Sequence, residues 1–250
     1  MGIHSTQDTV SITNVRYSAF LGMLYVSTPE TEAAIKEAKA FVGEAEVKKG
    51  YQGNKGDSAS AKALNFLRDK NVRSVKVSGT LTSARVIERD VDGRKTPYLN
   101  VGLKDDDGRY YLSVDLGQAA AQMLARKLVN AEVGVPTEIG MFATYGQRAG
   151  ASRAYADHGA SLKQSGVEIK SVDPKESLVP RINAAMKALE DAGVSKDDKE
   201  TFAKRRAKVE LAFHVELMNK VNDKFTAFYA STEQPHEAED DAAAPLKEAA

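Results

Sequence analysis

The stretch from Lys95 to Ala131, KTPYLNVGLKDDDGRYYLSVDLGQAAAQMLARKLVNA, decides the fold. It opens with strict alternation. Leu99, Val101 and Leu103 share one face, while Tyr98, Asn100 and Lys104 share the other, the period-two pattern of a half-buried strand. The Asp- and Gly-rich DDDG then reverses the chain. A second strand follows, with Tyr110, Leu112, Val114 and Leu116 inward and Arg109, Tyr111 and Ser113 outward. Past Gly117 the period changes: Ala120, Met123, Leu124 and Leu128 recur at helical spacing. A helix therefore stands where a further hairpin strand would be the simplest continuation.

Working outward, the preceding segment supplies a long strand. Val75, Val77, Gly79 and Leu81 share a face, and the apolar phase then slips to Ala84 and Val86, which predicts a bulge near Ser83. DVDGRKTP reads as the turn into the next strand. After the helix, a fourth strand covers about Thr137–Tyr145, GQRAGASRAYADHGASLKQSG reads as a long loop, and VEIKSV as a fifth strand. Three meandering strands, a helix and two more strands resemble the OB fold, whose helix plugs one end of a five-stranded barrel. The expected fold class is thus α+β, an OB-like five-stranded antiparallel β-barrel at 72–172, with additions at both ends.

Residues 1–71 form a strand and helix segment expected to pack on the barrel. Thr28 caps a helix with Pro29 at its first position and a stripe of Ile35, Ala38, Val42 and Ala45, ending at Gly50. Asp57 caps a second helix reaching about Asp69, with Ala61, Leu64 and Leu67 inward. Residues 173–230 are helical. LVPRINAAMKALEDAG is one helix. In the long helix that follows, Val209, Phe213, Leu217, Val221 and Phe225 recur every four residues, and Leu211, Val215 and Met218 widen the stripe. Such a stripe is buried either against the barrel or in a seam between subunits.

The chain has 250 residues and 42% hydrophobic content, enough for a sizeable core. It has no cysteine, which excludes disulfides, thiolate metal sites and cysteine nucleophiles and suits a reducing, cytoplasmic setting. The polar start MGIHSTQDTVSITN lacks the pattern of a secretory signal, and its formal match to a myristoylation signal is read as chance. No apolar run is long enough to cross a membrane. The formal net charge is zero, but residues 231–250 hold six acidic residues and one lysine, a net of −5, which leaves +5 on the rest. That tail, STEQPHEAEDDAAAPLKEAA, is too polar to offset its chain entropy by burial and is expected to be disordered.

An OB barrel binds ligands on the outer face of its second and third strands and on the flanking loops. Here that face and those loops hold Tyr98, Lys104, Arg109 and Tyr111; Arg89, Arg94 and Lys95 from the first turn; and Arg148, Arg153, Tyr155 and Lys163, with His158, from the last loop. Phe142 is outward if Met141 is core. Aromatic rings interleaved with cations are what single-stranded nucleic acid requires: bases stack on rings and cations follow phosphates. Singly, each residue has a structural explanation, since exposed tyrosines are common on strands. Their coincidence on one face carries the reading.

Catalytic and cofactor patterns do not fit. GYQGNKGDS lacks phosphate-loop spacing. KDDDG and ERDVDG lack the closing glutamate of a calcium loop. His4, His158, His214 and His236 have no paired-ligand spacing. No catalytic residue, metal or cofactor is therefore assigned. A structural or assembly protein that uses the barrel as scaffold, or a hydrolase with dispersed carboxylates, are the competing expectations.

VKVSGTLTSARVIERDVDGRKTPYLNVGLKDDDGRYYLSVDLG and KVELAFHVELMNKVNDKF, with the acidic tail, resemble phage-encoded single-stranded-DNA-binding proteins, among them the podoviral RNA polymerase cofactors. The resemblance implies sequence-non-specific DNA binding, homo-oligomers, and recruitment of a polymerase to unwound DNA. The chain departs from relatives whose tails end in acid plus an aromatic, since it ends PLKEAA.

Overall fold

The structure, a computed structural model, describes residues 11–91, 93–147 and 152–232. Along the chain come β1 (Ile12–Ser18), β2 (Met23–Val26), α1 (Pro29–Val42), α2 (Glu44–Lys48) and α3 (Ala59–Asp69). Then follow β3 (Val77–Val91), β4 (Arg94–Lys104), β5 (Arg109–Asp115) and α4 (Ala119–Leu128). The chain continues with β6 (Pro136–Gln147), β7 (Ala154–Gln164), β8 (Val167–Glu168), α5 (Leu178–Asp191) and α6 (Lys199–Thr232). Among the described residues, no helix is long and apolar enough to cross a membrane.

The fold is α+β. Among the described residues the strands form one eight-stranded sheet in the order β2-β1-β5-β4-β3-β6-β7-β8, and β2 also meets β6 through Met23 and Phe142. The expected succession of three strands (β3, β4, β5), helix α4 and a fourth strand (β6) is present, and β3 pairs with both β4 and β6. Its register slips between Leu81 and Ser83, where the change of apolar phase places a bulge. Just before the slip, a Cβ on Gly79 would lie 3.0 Å from the Lys104 carbonyl oxygen, so the two backbones approach closely there.

The sheet is not a five-stranded unit. β5 takes β1 as a parallel neighbour, Val15 opposite Leu112, and β2 continues antiparallel from β1. The N-terminal strands are thus built into the sheet, not laid upon it. Val15, Tyr17 and Leu24 point into the same core as Leu99, Val101 and Leu112. Tyr17 ties the two sides together: its hydroxyl lies 2.8 Å from His158 Nδ1 and donates to the Phe142 carbonyl at 3.1 Å.

Two readings of irregular chain are corrected. The presumed turn at DVDGRKTP is nearly all strand, because β3 runs to Val91 and β4 starts at Arg94. The presumed long loop holds β7, whose small residues face β6 partners: Gly159 lies opposite Phe142, and a Cβ there would meet that ring at 2.8 Å. VEIKSV contributes only the two-residue β8.

Helix ends follow local chemistry. Thr28 and Thr31 form a reciprocal capping box at α1. Gly43, at φ 90°, ends α1 before the expected stripe reaches Ala45, which is exposed. Ser58, not Asp57, caps α3, accepting from the Ala61 amide at 3.1 Å. α1 and α3 cover the outer side of β2 in a second core with Phe20, Met23 and Tyr25. α6 turns its stripe back onto the sheet: Met218, Val221 and Phe225 join the main core beside α4. It extends to Thr232, two residues into the range expected for the acidic tail. Residues 233–250, the rest of that tail, lie outside the described residues.

Candidate nucleic-acid interface

Val15, Ala84, Leu99, Val101 and Leu112 are no more than 1% exposed. Strand alternation then forces their neighbours outward on β1, β5, β4 and β3. Register places these neighbours in rows. Asn14 stands beside Tyr111, and Tyr111 beside Gly102. Arg16, Ser113, Asn100 and Arg85 form the next row, and Asp115, Tyr98 and Ile87 a third. Lys104 and Arg109 are opposite one another toward the DDDG turn.

Both tyrosines have defined seats. A Cβ on Gly102 would lie 3.4 Å from the Tyr111 ring and 2.4 Å from Ser83 Oγ, so only glycine lets the ring lie so close to the sheet. The Arg89 guanidinium sits 4.8 Å from the centroid of the Tyr98 ring. Arg16 is steered from the side by α1, its guanidinium 3.1 Å from Glu32, which also accepts from Ser27 at 2.6 Å and Tyr25 at 3.2 Å. Burial, then the adjacent Glu32, pushes the Tyr25 hydroxyl up to about 12, so it remains a donor in this cluster.

A cleft of about 280 Å³ opens where β1 and β5 end, lined by Arg16, Arg89, Tyr98, Ser113, Asp115 and Gln118 among others. At and beside it, Ser113 Oγ, Gln118 Oε1 and Asn100 Oδ1 are buried with no hydrogen-bond partner among the described residues. Such atoms are unusual in a folded protein, where buried polar atoms are nearly always paired.

Arg85, Arg94, Lys104 and Arg109 have no carboxylate within ion-pair distance among the described residues, and Lys95 has only a loose, exposed contact with Glu88 at 3.6 Å. One aspartate at the start of each turn is occupied locally instead. Asp90 accepts from the Gly93 amide and Asp105 from those of Asp107 and Gly108, each at 2.9 Å. These aspartates shape hairpins, as expected.

Phe142, Arg153 and Tyr155 form a second group on the β6–β7 arm. Phe142 is outward and 45% exposed. The Arg153 guanidinium is 5.3 Å from the Tyr155 ring, and its Nε donates to the Tyr155 hydroxyl at 3.3 Å. Arg153 and Tyr155 were expected on a loop; Tyr155 is on β7 and Arg153 immediately precedes it. Arg148 lies outside the described residues. Lys163 is on β7 but at the far end, between Glu138 and Glu168 in register. His158 faces inward, and burial lowers its pKa.

Sequence reasoning missed Asn14, Arg16 and Arg85 as members of the face. Arg85 had a local signal, alternation past the bulge. Asn14 and Arg16 had none, because only the parallel pairing with β5 brings β1 here. No family model matches this chain, and neither the search of curated proteins nor that of solved structures returns a similar one.

Proposed function

We propose that this chain binds single-stranded DNA, without reading a defined sequence, on the outer face of β1, β5, β4 and β3. The observation that carries the reading is the row structure of that face. Two ring faces, Tyr98 and Tyr111, lie among Arg85, Arg89, Lys104 and Arg109 on a rigid sheet. Rings stack on bases of any identity, and cations without acidic partners follow the phosphates. The β6–β7 arm, with Phe142, Arg153 and Tyr155, extends the same chemistry. In this reading β3–β7 and α4 are an OB-like barrel in which β1 and β2 fill the place between β5 and β6. The resemblance to phage-encoded single-stranded-DNA-binding proteins extends the proposal to a homo-oligomer in the host cytoplasm. There it would serve replication or recruit an RNA polymerase to unwound DNA.

The test is fluorescence anisotropy with oligo(dT) and with a duplex of equal length, at about 50 and about 200 mM salt. Single strands should bind more tightly, with a slope of log K against log salt of about −0.7 per phosphate neutralised. Equal affinity for duplex and single strand would sink the proposal.

A further inference from the structure

The cleft at the ends of β1 and β5 differs in kind from the stacking face around it. Its distinguishing feature is a surplus of oxygen acceptors. Ser113 and Asn100 face one another across β5 and β4, Gln118 follows β5 at the start of α4, and each carries a buried oxygen without a donor. Asp115 lines the same cleft and has one oxygen engaged, by the Gly117 amide at 2.8 Å. A carboxamide or carboxylate oxygen only accepts, and a serine hydroxyl can accept as well as donate. The Tyr98 ring forms an apolar wall, Arg89 brings positive charge, and Arg16, paired with Glu32, adds guanidinium donors.

We infer that this cleft takes one unpaired nucleobase and selects for an exocyclic amino group, the group of cytosine and adenine that thymine and uracil lack. The inference rests on the single-stranded-DNA reading of the face. An amino group offers two hydrogens to a cleft whose lining holds the orphaned oxygens of Ser113 and Gln118, with that of Asn100 beside Ser113 in register. The carbonyl that uracil or thymine presents at the equivalent position of the ring would add a further acceptor there, beside the Asp115 carboxylate. Tyr98 stacks on the base, and Arg16 and Arg89 lie where the adjoining phosphate or ring oxygens pass. In a single strand both amino hydrogens are available; in a duplex one is committed to the opposite strand. The cleft thus imposes a preference of base class at one position, while the rest of the face remains indifferent to sequence.

Homopolymers test this directly, because every binding register offers the cleft the same base. Oligo(dC) and oligo(dU) of equal length are compared by anisotropy in mildly alkaline buffer, where cytosine strands do not self-associate. Oligo(dC) should bind at least about fivefold more tightly, the low end of what one good base contact supplies. Gln118→Met keeps side-chain length, and Gln118 makes no side-chain capping bond to α4, so that helix should survive. Ser113→Ala is a second, smaller change. Each should move the dC-to-dU affinity ratio toward one. A wild-type ratio of one or below, or a ratio that neither substitution changes, overturns the inference and leaves the binding proposal standing. Failure of every oligonucleotide, oligo(dT) included, removes the binding proposal itself.

Discussion

Arg89 holds its guanidinium 4.8 Å from the centroid of the Tyr98 ring, diagonally across the β3–β4 hairpin. One face of the ring is therefore already covered by a cation, and a base can use only the other. The arrangement favours stacking, since the guanidinium is poised beside the phosphate of whatever base the ring holds. Tyr98→Ala should weaken binding to oligo(dT) by ~1–3 kcal/mol. Arg89→Ala should weaken it less and flatten the salt slope. The double variant should lose less than the sum of the two, because the residues act as a pair. Anisotropy titrations at two salt concentrations check all three, and strict additivity would refute the pairing.

Tyr111 depends on Gly102 in a different way. The ring lies close to a backbone that has no side chain beneath it. Tyr111→Ala should cost ~1–3 kcal/mol of binding with little change in melting temperature, because the ring is not part of the core. Gly102→Val should destabilise the fold by about 1–3 kcal/mol, since its branches would meet both Tyr111 and Ser83. Should Tyr111→Ala unfold the chain instead, the ring is structural and the face is misassigned.

The parts of this fold that were legible in sequence are those governed by neighbours. Alternation gave β4 and β5, the change of period gave α4, and the phase slip gave the bulge between Leu81 and Ser83. What was hidden depends on distant partners. β7 reads as loop because Gly159 and Ala160 are small, yet their size answers the Phe142 ring and the packing of α4. The pairing of β1 with β5 spans some hundred residues and has no local mark, so the sheet was expected with five strands and Arg16 was not expected on its face. Tyr98, Lys104, Arg109 and Tyr111 emerged correctly as outward residues because strand phase alone decides their side.

The long helix α6 is a core element of the chain itself. Met218 is fully buried, and Phe225 is 4% exposed in the same core. Met218→Ala should destabilise the chain by about 2–5 kcal/mol in urea unfolding. Phe213 is 4% exposed, with the Arg181 guanidinium 5.6 Å from its ring, so its stripe is already in use between α5 and α6. Phe213→Asp should therefore unfold the helical region; loss of assembly with an unchanged urea midpoint would show that the stripe serves a subunit seam instead.

His214 makes acid stability a second check on the packing of α6. It is 1% exposed, and its Nδ1 lies 2.6 Å from the Glu210 carbonyl oxygen. Burial lowers its pKa below the usual 6.5, the Arg126 cation lowers it further, and Glu210 partly opposes both. The unfolded chain therefore binds more protons than the folded one below about pH 6.5, so stability falls as pH drops from that value through the folded-state pKa. His158 is shifted in the same direction, chiefly by burial. The urea midpoint should drop between about pH 7.5 and about pH 5.5, and His214→Gln should reduce that drop. An undiminished drop in the variant would assign the effect elsewhere.

The last prediction concerns charge at the C-terminus. Residues 233–250 contain six acidic residues and one lysine, a net of −5 in a chain whose formal total is zero. The remainder is therefore +5, and the cations of the sheet face, Arg85, Lys104 and Arg109, contribute to that excess without acidic partners among the described residues. A tethered acidic segment competes with phosphate at an effective concentration set by its attachment, not by the solution. Deleting residues 233–250 should tighten binding to single-stranded DNA, most at low salt, where the field of the chain is least screened. The control keeps the length and replaces Glu237, Glu239, Asp240 and Asp241 by Ser or Gln, which separates charge from bulk. That variant should bind as tightly at low salt as the truncated chain does. If it binds like the full-length protein instead, the acidic residues do not compete for the face, and any gain on truncation comes from removing chain.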